Sequence, residues 1–318
     1  MRAGRAAGDL AFRLGTGLFG LVLVLLVAAI GAELVRQSWL SIETFGLNFW
    51  RTSIWDPVAG EFGALPFIWG TLYSSMLALL LATPIALGIA VFISELCPNR
   101  LRPPLVFLTE LLAAIPSIVY GLWGIFVLVP AVRAAETAFP QALKSLPFFS
   151  GPPFGLGMLS AALILAVMVI PFTSSIAREV LKSVPVAQRE GAYALGATRF
   201  EAITAALYYA RTGIVGAVLL GFGRALGETM AVTMVIGNSP KVTLSLFAPQ
   251  HTMAAVLANE FSEAADDLYL NALIEIGLVL FVITLVVNSL SRLLIWSMAR
   301  SERQAAATTV VPAAESAA

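Results

Sequence analysis

Two opposite charges stand in an otherwise apolar stretch of the chain, GFGRALGETMAVTMVIGN at residues 221–238. Arg224 and Glu228 are four residues apart, the spacing that puts two side chains on one face of a helix. A planar arginine fork suits a tetrahedral oxyanion, because it can donate to two oxygens at once. We therefore expect Arg224 to contact an anion, with Glu228 as its counter-charge and Thr229 as a further polar group of the same path. An ion pair that only fixes helix packing is the alternative.

The composition explains why charges in this stretch are unusual. Of the 318 residues, 59% are hydrophobic and 12% are charged, whereas a soluble domain carries about 25% charged residues. So much apolar surface requires lipid as the solvent for most of the chain. A charge inside the lipid is expensive, so it should face the interior of a helix bundle or a water-filled path.

Several kinds of chemistry are excluded by what the chain lacks. Its net charge is zero, which gives no basic field for nucleic acid. The single cysteine, Cys97, and the single histidine, His251, leave no internal disulfide and no metal site built from several such ligands. There is no GxxxxGK[ST] loop to cradle ATP and no evident nucleophile–base pair. We predict a protein that is not an enzyme and holds no cofactor or metal.

Apolar stretches long enough to cross a membrane predict an all-α integral membrane protein with six transmembrane helices. The absence of sustained alternation argues against a barrel. Basic residues before the first stretch resemble a signal peptide, but no small-x-small cleavage site follows, so we interpret it as a retained helix. The segment 1–13 precedes the transmembrane region 14–300, and the tail 301–318 is predicted to be disordered. The predicted spans are about 14–35, 66–93, 105–130, 157–178, 213–237 and 272–296.

The distribution of lysine and arginine predicts the orientation. If both termini are cytoplasmic, 13 of the 19 basic residues fall on the cytoplasmic side and 5 on the other side, with Arg224 inside a span. Since cytoplasmic segments carry an excess of these residues, both termini should be cytoplasmic.

The predicted cytoplasmic segment 179–212 is too long for a tight turn and too polar to span a membrane. Pro185 suits a helix start, and Gly191 and Gly196 interrupt the pattern that follows. A short helix here could dock a cytoplasmic partner, or it could simply lie on the lipid surface.

Three segments carry a resemblance to a known family. LLAAIPSIVYGLWG, REGAYALGATR and GRALGETMAVTMVIGN resemble the permeases of bacterial binding-protein-dependent ABC importers, and among them the phosphate-specific PstC family. These permeases carry a loop of pattern EAA, three residues, Gly, to which Glu190, Gly191, Ala192 and Gly196 correspond. The proline that normally ends the pattern is missing from this chain. The resemblance runs from about residue 63 to 296.

The resemblance implies a type I ABC importer permease fold in a bacterial inner membrane, transporting inorganic phosphate. It implies that Glu190, Gly191, Ala192 and Gly196 couple the permease to an ATPase. The implied partners are a sister permease PstA, the ATP-binding subunit PstB and the periplasmic phosphate-binding protein PstS. Two alternatives remain: an ABC permease for another oxyanion, such as sulfate or molybdate, or an ion-coupled secondary transporter or channel that needs no ATPase.

Overall fold

The computed structural model describes residues 2–144 and 146–310. These residues form thirteen α-helices and one short antiparallel hairpin, in which Trp55 pairs with Phe62. The elements in chain order are α1 (Arg2–Gln37), α2 (Trp39–Phe45), β1 (Trp55–Asp56), β2 (Glu61–Phe62), α3 (Leu65–Val91), α4 (Arg102–Ala114), α5 (Ser117–Trp123), α6 (Val129–Ala138), α7 (Gln141–Lys144), α8 (Met158–Lys182), α9 (Val186–Ala194), α10 (Arg199–Leu226), α11 (Met230–Val235), α12 (Met253–Glu260) and α13 (Asp267–Val310). Wide turns of the π type extend α3 over Phe92–Leu96 and join α5 to α6 over Gly124–Leu128.

Among the described residues, six helical stretches are long and apolar enough to cross a membrane, the number that the sequence predicts. They are Phe12–Gln37, Leu65–Leu96, Ser117–Ala138, Met158–Lys182, Arg199–Leu226 and Asp267–Arg300. The helical fold and the count confirm the fold class, while the bounds of the third and fifth stretches differ from the predicted spans.

The third span differs because of Pro116. The sequence predicts one helix over 105–130, but α4 ends at Ala114 and α5 begins at Ser117. Ile115 is extended, with φ −63° and ψ 130°, because the residue before a proline is disfavoured in the helical region. The hydroxyl of Tyr120 donates to the carbonyl of Leu112 at 2.8 Å and so bridges this break.

The helix α8 lies at the centre of the bundle and is the most buried of the six stretches. It packs against α3 and α10, which present small residues to it. In α3 these are four fully buried alanines at four-residue spacing, Ala78, Ala82, Ala86 and Ala90. In α10 a Cβ added at Gly221 would collide with Thr173 of α8. Small residues let helix backbones approach closely, which is the main source of packing between helices in lipid.

The two ends of the chain are helical further than predicted. The helix α13 continues to Val310, so the predicted disordered tail 301–318 differs from the structure over its first ten residues. The run Gln304–Ala307 favours this extension, since glutamine and alanine are strong helix formers. Residues 311–318 lie outside the described residues. At the other end, α1 begins at Arg2, within the predicted segment 1–13, and packs on α13, where Gly31 faces Phe281.

The end of the bundle where α8 begins, which we call the α12 end, is closed by an aromatic cluster around Trp55 and Phe62. Glu260 accepts hydrogen bonds from the Trp55 indole at 2.8 Å and from the Tyr269 hydroxyl at 2.6 Å. Glu260 thus ties α12 to the hairpin and to α13. Beside it, burial lowers the pKa of His251 to about 4. The opposite end, where α9 follows α8, is the α9 end.

Candidate functional site

Arg224 lies in the last turn of α10, and its side chain is exposed. Its guanidinium carbon is 5.6 Å from the centre of the Phe172 ring on α8. Phe172 is ten residues before the end of α8 at Lys182, or roughly 15 Å along the helix. Arg224 is therefore beside the middle of the central helix, and its face of α10 is not covered by the rest of the described chain.

Glu228 does not stand where the sequence predicts. The predicted span 213–237 is broken, because α10 ends at Leu226 and α11 begins only at Met230. Glu228 is half-buried beyond this break, and its carboxylate accepts from the Ala231 backbone N–H at 3.4 Å. Within the described residues no ion pair joins Arg224 to Glu228, so the expectation of two charges on one helical face is wrong. Gly227 is the residue that ends the helix, and glycine is among the weakest helix formers.

Thr229 also belongs to the break. Its hydroxyl is 3.4 Å from the carbonyl of Gly227, and its own carbonyl accepts from the Thr233 hydroxyl at 2.7 Å. The structure thus brings Arg224, Glu228 and Thr229 to one interruption of the helix. Non-helical backbone at membrane depth is tolerated only where protein covers it or where it lines a water-filled cavity.

The predicted coupling residues form a helix and the turn that ends it. Glu190, Gly191 and Ala192 lie on α9, none of whose residues is buried. Gly196 has a φ of +84°, and a Cβ there would meet nothing within 4 Å. The Ala197 N–H donates to the Ala192 carbonyl at 3.1 Å and the Gly196 N–H to the Tyr193 carbonyl at 2.9 Å. This is a Schellman motif, which requires a left-handed residue at the position of Gly196.

The comparisons with known proteins add the decisive observation. The family described as binding-protein-dependent transport system inner membrane component matches residues 82–300. The chain belongs to this family. The matched region includes both the break after α10 and the whole of α9.

Relatives of this permease cover nearly its whole length. The phosphate transport system permease protein PstC of Haemophilus influenzae is 48% identical, over 92% of this chain and 94% of its own. The protein of the same name from Mesorhizobium japonicum is 43% identical, over 90% of each chain. Among solved structures, a chain of the MetNI methionine ABC transporter in inward-facing conformations matches with a TM-score of 0.55 at 15% identity, covering 72% of this chain and 93% of that one. That likeness supports the ABC permease fold.

The surface around α9 of the permease is more apolar than its sequence suggests. Four large apolar side chains are more than half exposed or nearly so: Val186 at 64%, Tyr193 at 50%, Leu195 at 91% and Phe200 at 77%. We call these four the α9 patch. They lie on or beside a polar helix at one end of the bundle, and exposed apolar side chains in such a place are typical of an interaction site.

Sequence reasoning missed a buried arginine near the α9 end. Arg178 of α8 is 4% exposed and pairs with Glu110 of α4 at 3.2 Å and with Glu179 at 2.8 Å. A charge on α8 facing a charge on α4 gives no local pattern, since the two residues are 68 positions apart. The pair joins α8 to α4, the helix that precedes the Pro116 break.

Proposed function

We propose that this permease carries inorganic phosphate as the membrane-spanning subunit of an ATP-driven importer, and that it forms the translocation path together with a sister permease. The observation that carries the proposal is Arg224, an exposed arginine beside the middle of α8 at a broken helix. Relatives that are called phosphate transport system permease proteins cover nine tenths of the chain.

The uncovered face of Arg224 supports a path between two subunits. A cation at this depth needs water or protein around it, and so does the open backbone at Gly227. A second permease placed against this face of α10 would close a polar path around Arg224, with Glu228 and Thr229 on the same wall. Half-buried Glu228 then limits how tightly Arg224 holds an anion, which favours release.

The α9 patch supports docking of the ATP-binding subunit PstB. An apolar patch around a short helix fits a protein cleft better than water. The chain has no phosphate-cradling loop, so ATP binding and hydrolysis belong to that partner. The excess of basic residues at the α9 end supports an orientation with both termini in the cytoplasm. In that orientation the phosphate-binding protein PstS meets the α12 end from the periplasm.

The alternatives are less well supported. A permease for sulfate or molybdate would use the same arginine chemistry, but the relatives carry the phosphate name. An ion-coupled secondary transporter binds no ATPase subunit, so it would not explain the exposed apolar side chains of the α9 patch.

The test is Arg224→Gln in the assembled importer reconstituted in liposomes. Because Arg224 is exposed and has no ion-pair partner among the described residues, the variant should assemble normally. Phosphate uptake should fall about a hundredfold, the loss of a charged hydrogen-bonding partner worth roughly 3 kcal/mol. Arg224→Lys keeps the positive charge but lacks the planar fork, so its phosphate uptake should lie between that of Arg224→Gln and that of the unmodified importer. The matched control is Arg292→Gln, which removes an exposed arginine from α13.

Uptake of Arg224→Gln within twofold of the unmodified importer, at equal abundance, would refute the site. Equal losses of uptake in Arg292→Gln would show a general electrostatic effect instead. Sulfate or molybdate competing as well as unlabelled phosphate would reassign the substrate.

A further inference from the structure

One arginine of α9 turns away from the exposed surface and into the bundle. Arg189 makes a two-bonded contact with Glu95, with its Nη2 2.7 Å from Oε1 and its Nε 3.2 Å from Oε2. The two side chains are only 21% and 12% exposed. Glu95 belongs to the wide turn Phe92–Leu96 that ends α3, far from α9 in sequence. The contact therefore fastens α9 to a helix that is not its neighbour along the chain.

The same guanidinium also caps the end of α8. It donates to the carbonyls of Leu181 and Val184, both at 2.9 Å. Carbonyls in the last turn of a helix lack partners within the helix, and Arg189 donates to one of them, the Leu181 carbonyl, which also accepts from the Val184 N–H at 3.3 Å. With Glu95 included, the one side chain makes four hydrogen bonds: two to the turn that ends α3, one to the last turn of α8 and one to Val184, two residues after α8 ends. We call this set of contacts the Arg189 clamp.

The clamp joins α9 to two helices that pack closely on each other. The four buried alanines of α3 seat it closely on α8, so α3 and α8 form one packed pair. On its other side α9 is followed by the turn at Gly196, whose backbone is left-handed and whose surroundings are open. The helix α9 also packs on α10, and Arg199 of α10 donates to the Glu95 carbonyl at 2.7 Å. The Arg189 clamp is therefore the side-chain link that runs from α9 itself to α3 and to the end of α8.

We propose that Arg189 is a positioning residue for coupling, which transmits movement of α9 to the end of α3 and to the end of α8. The inference rests on the proposed function, in which an ATPase moves α9. Motion imposed on α9 then reaches the centre of the bundle through Glu95 and the end of α8, and changes the position of α8 relative to Arg224 on α10. A lysine cannot replace the arginine, since it lacks the fork that bonds both carboxylate oxygens.

The test separates a joint from a contact that only stabilises the fold. In a Cys97→Ala background, Arg189→Cys and Glu95→Cys are combined in the full importer. A short reversible bis-thiosulfonate cross-linker then replaces the clamp by a covalent bridge without charge. Phosphate uptake and ATP hydrolysis are measured on the same liposomes before cross-linking, after it, and after reduction.

Before cross-linking, uptake should fall about tenfold while ATP hydrolysis stays within about twofold, so more ATP is consumed for each phosphate. Cross-linking should return the ratio of ATP hydrolysed to phosphate transported to its normal value. Reduction of the cross-linker should raise that ratio again. Lys182→Gln is the matched control, since Lys182 and Glu179 form an exposed ion pair at 3.1 Å nearby, and its ratio should not change. Should the double-cysteine protein fail to assemble, Glu95→Gln keeps the shape of the side chain and should raise the same ratio.

The proposal is overturned if the double-cysteine protein, before cross-linking, hydrolyses no more ATP per phosphate than the unmodified importer. It is also overturned if cross-linking leaves a raised ratio unaltered. An unchanged ratio in Glu95→Gln would overturn it as well. Failure of the proposed function is seen separately, because the unmodified importer would then show no ATP-dependent phosphate uptake.

Discussion

Two glycines in the α9 segment should respond to alanine in opposite directions. Gly191 lies inside α9 with ordinary helical backbone, whereas Gly196 follows α9 with a φ of +84°. At both positions an added Cβ would meet nothing within 4 Å. Since neither substitution causes a steric collision within the chain, the backbone conformation alone should decide the sign.

The magnitudes follow from the two conformations. An L-residue in the left-handed region costs roughly 1–2 kcal/mol, so Gly196→Ala should destabilise the α9 segment by about that amount. Alanine in place of glycine inside a helix favours the helix by about 1 kcal/mol, so Gly191→Ala should stabilise it. Asparagine tolerates the left-handed region, so Gly196→Asn should cost less than Gly196→Ala. Gly196→Leu should cost about as much as Gly196→Ala.

Amide hydrogen exchange in the purified permease reads this local stability directly. The reporting groups are the N–H groups of Leu195, Gly196 and Ala197, which bond back to the last turn of α9. A change of 1.4 kcal/mol alters exchange from local opening about tenfold. Exchange should be faster by about that factor in Gly196→Ala and slower by several-fold in Gly191→Ala, while amides in the core of α8 keep their rates.

Co-purification of the ATP-binding subunit with the permease variants is a second measurement. If Gly196 also approaches that subunit closely, Gly196→Leu should weaken co-purification more than Gly196→Ala does. If only the backbone matters, the two should bind alike. Slower exchange in Gly196→Ala, or faster exchange in Gly191→Ala, would refute the reasoning from backbone conformation.

Two further predictions concern the α12 end and the orientation. Burial lowers the pKa of His251 from its unfolded value of 6.5 to about 4 in the fold. Because the unfolded chain then binds a proton that the folded chain does not, the free energy of unfolding should fall by about 2 kcal/mol between pH 7 and pH 5. Thermal melting should show this pH dependence, and His251→Gln should remove it. Cys97 is 5% exposed and should label slowly from either side. In a Cys97→Ala background, Leu195→Cys at the α9 end should react with an impermeant thiol reagent only after cells are opened, whereas Val58→Cys, where Val58 is 99% exposed at the α12 end, should react in intact cells. The reverse pattern would overturn the orientation.

Composition and hydrophobic patterning by themselves predicted the helical membrane fold and its six spans. These features are local: each span satisfies its own backbone, and its length follows from the thickness of the lipid. The turn at Gly196 and the packing role of Gly221 also follow from local patterns, because glycine is the residue that a left-handed turn or a close helix contact requires. The break at Pro116 could have been predicted in the same way, since a proline restricts the residue before it.

Only the tertiary structure decided which charges meet. Arg224 and Glu228 are close in sequence but separated by the end of α10 at Gly227, a break that spacing alone did not reveal. Arg189 and Glu95 are 94 positions apart and form a two-bonded contact. Ion pairs between helices depend on how the helices pack, and that packing is set by small residues such as the alanines of α3 rather than by the charges. The sequence therefore named the charged residues, and the packing of α3, α8 and α10 determined their partners.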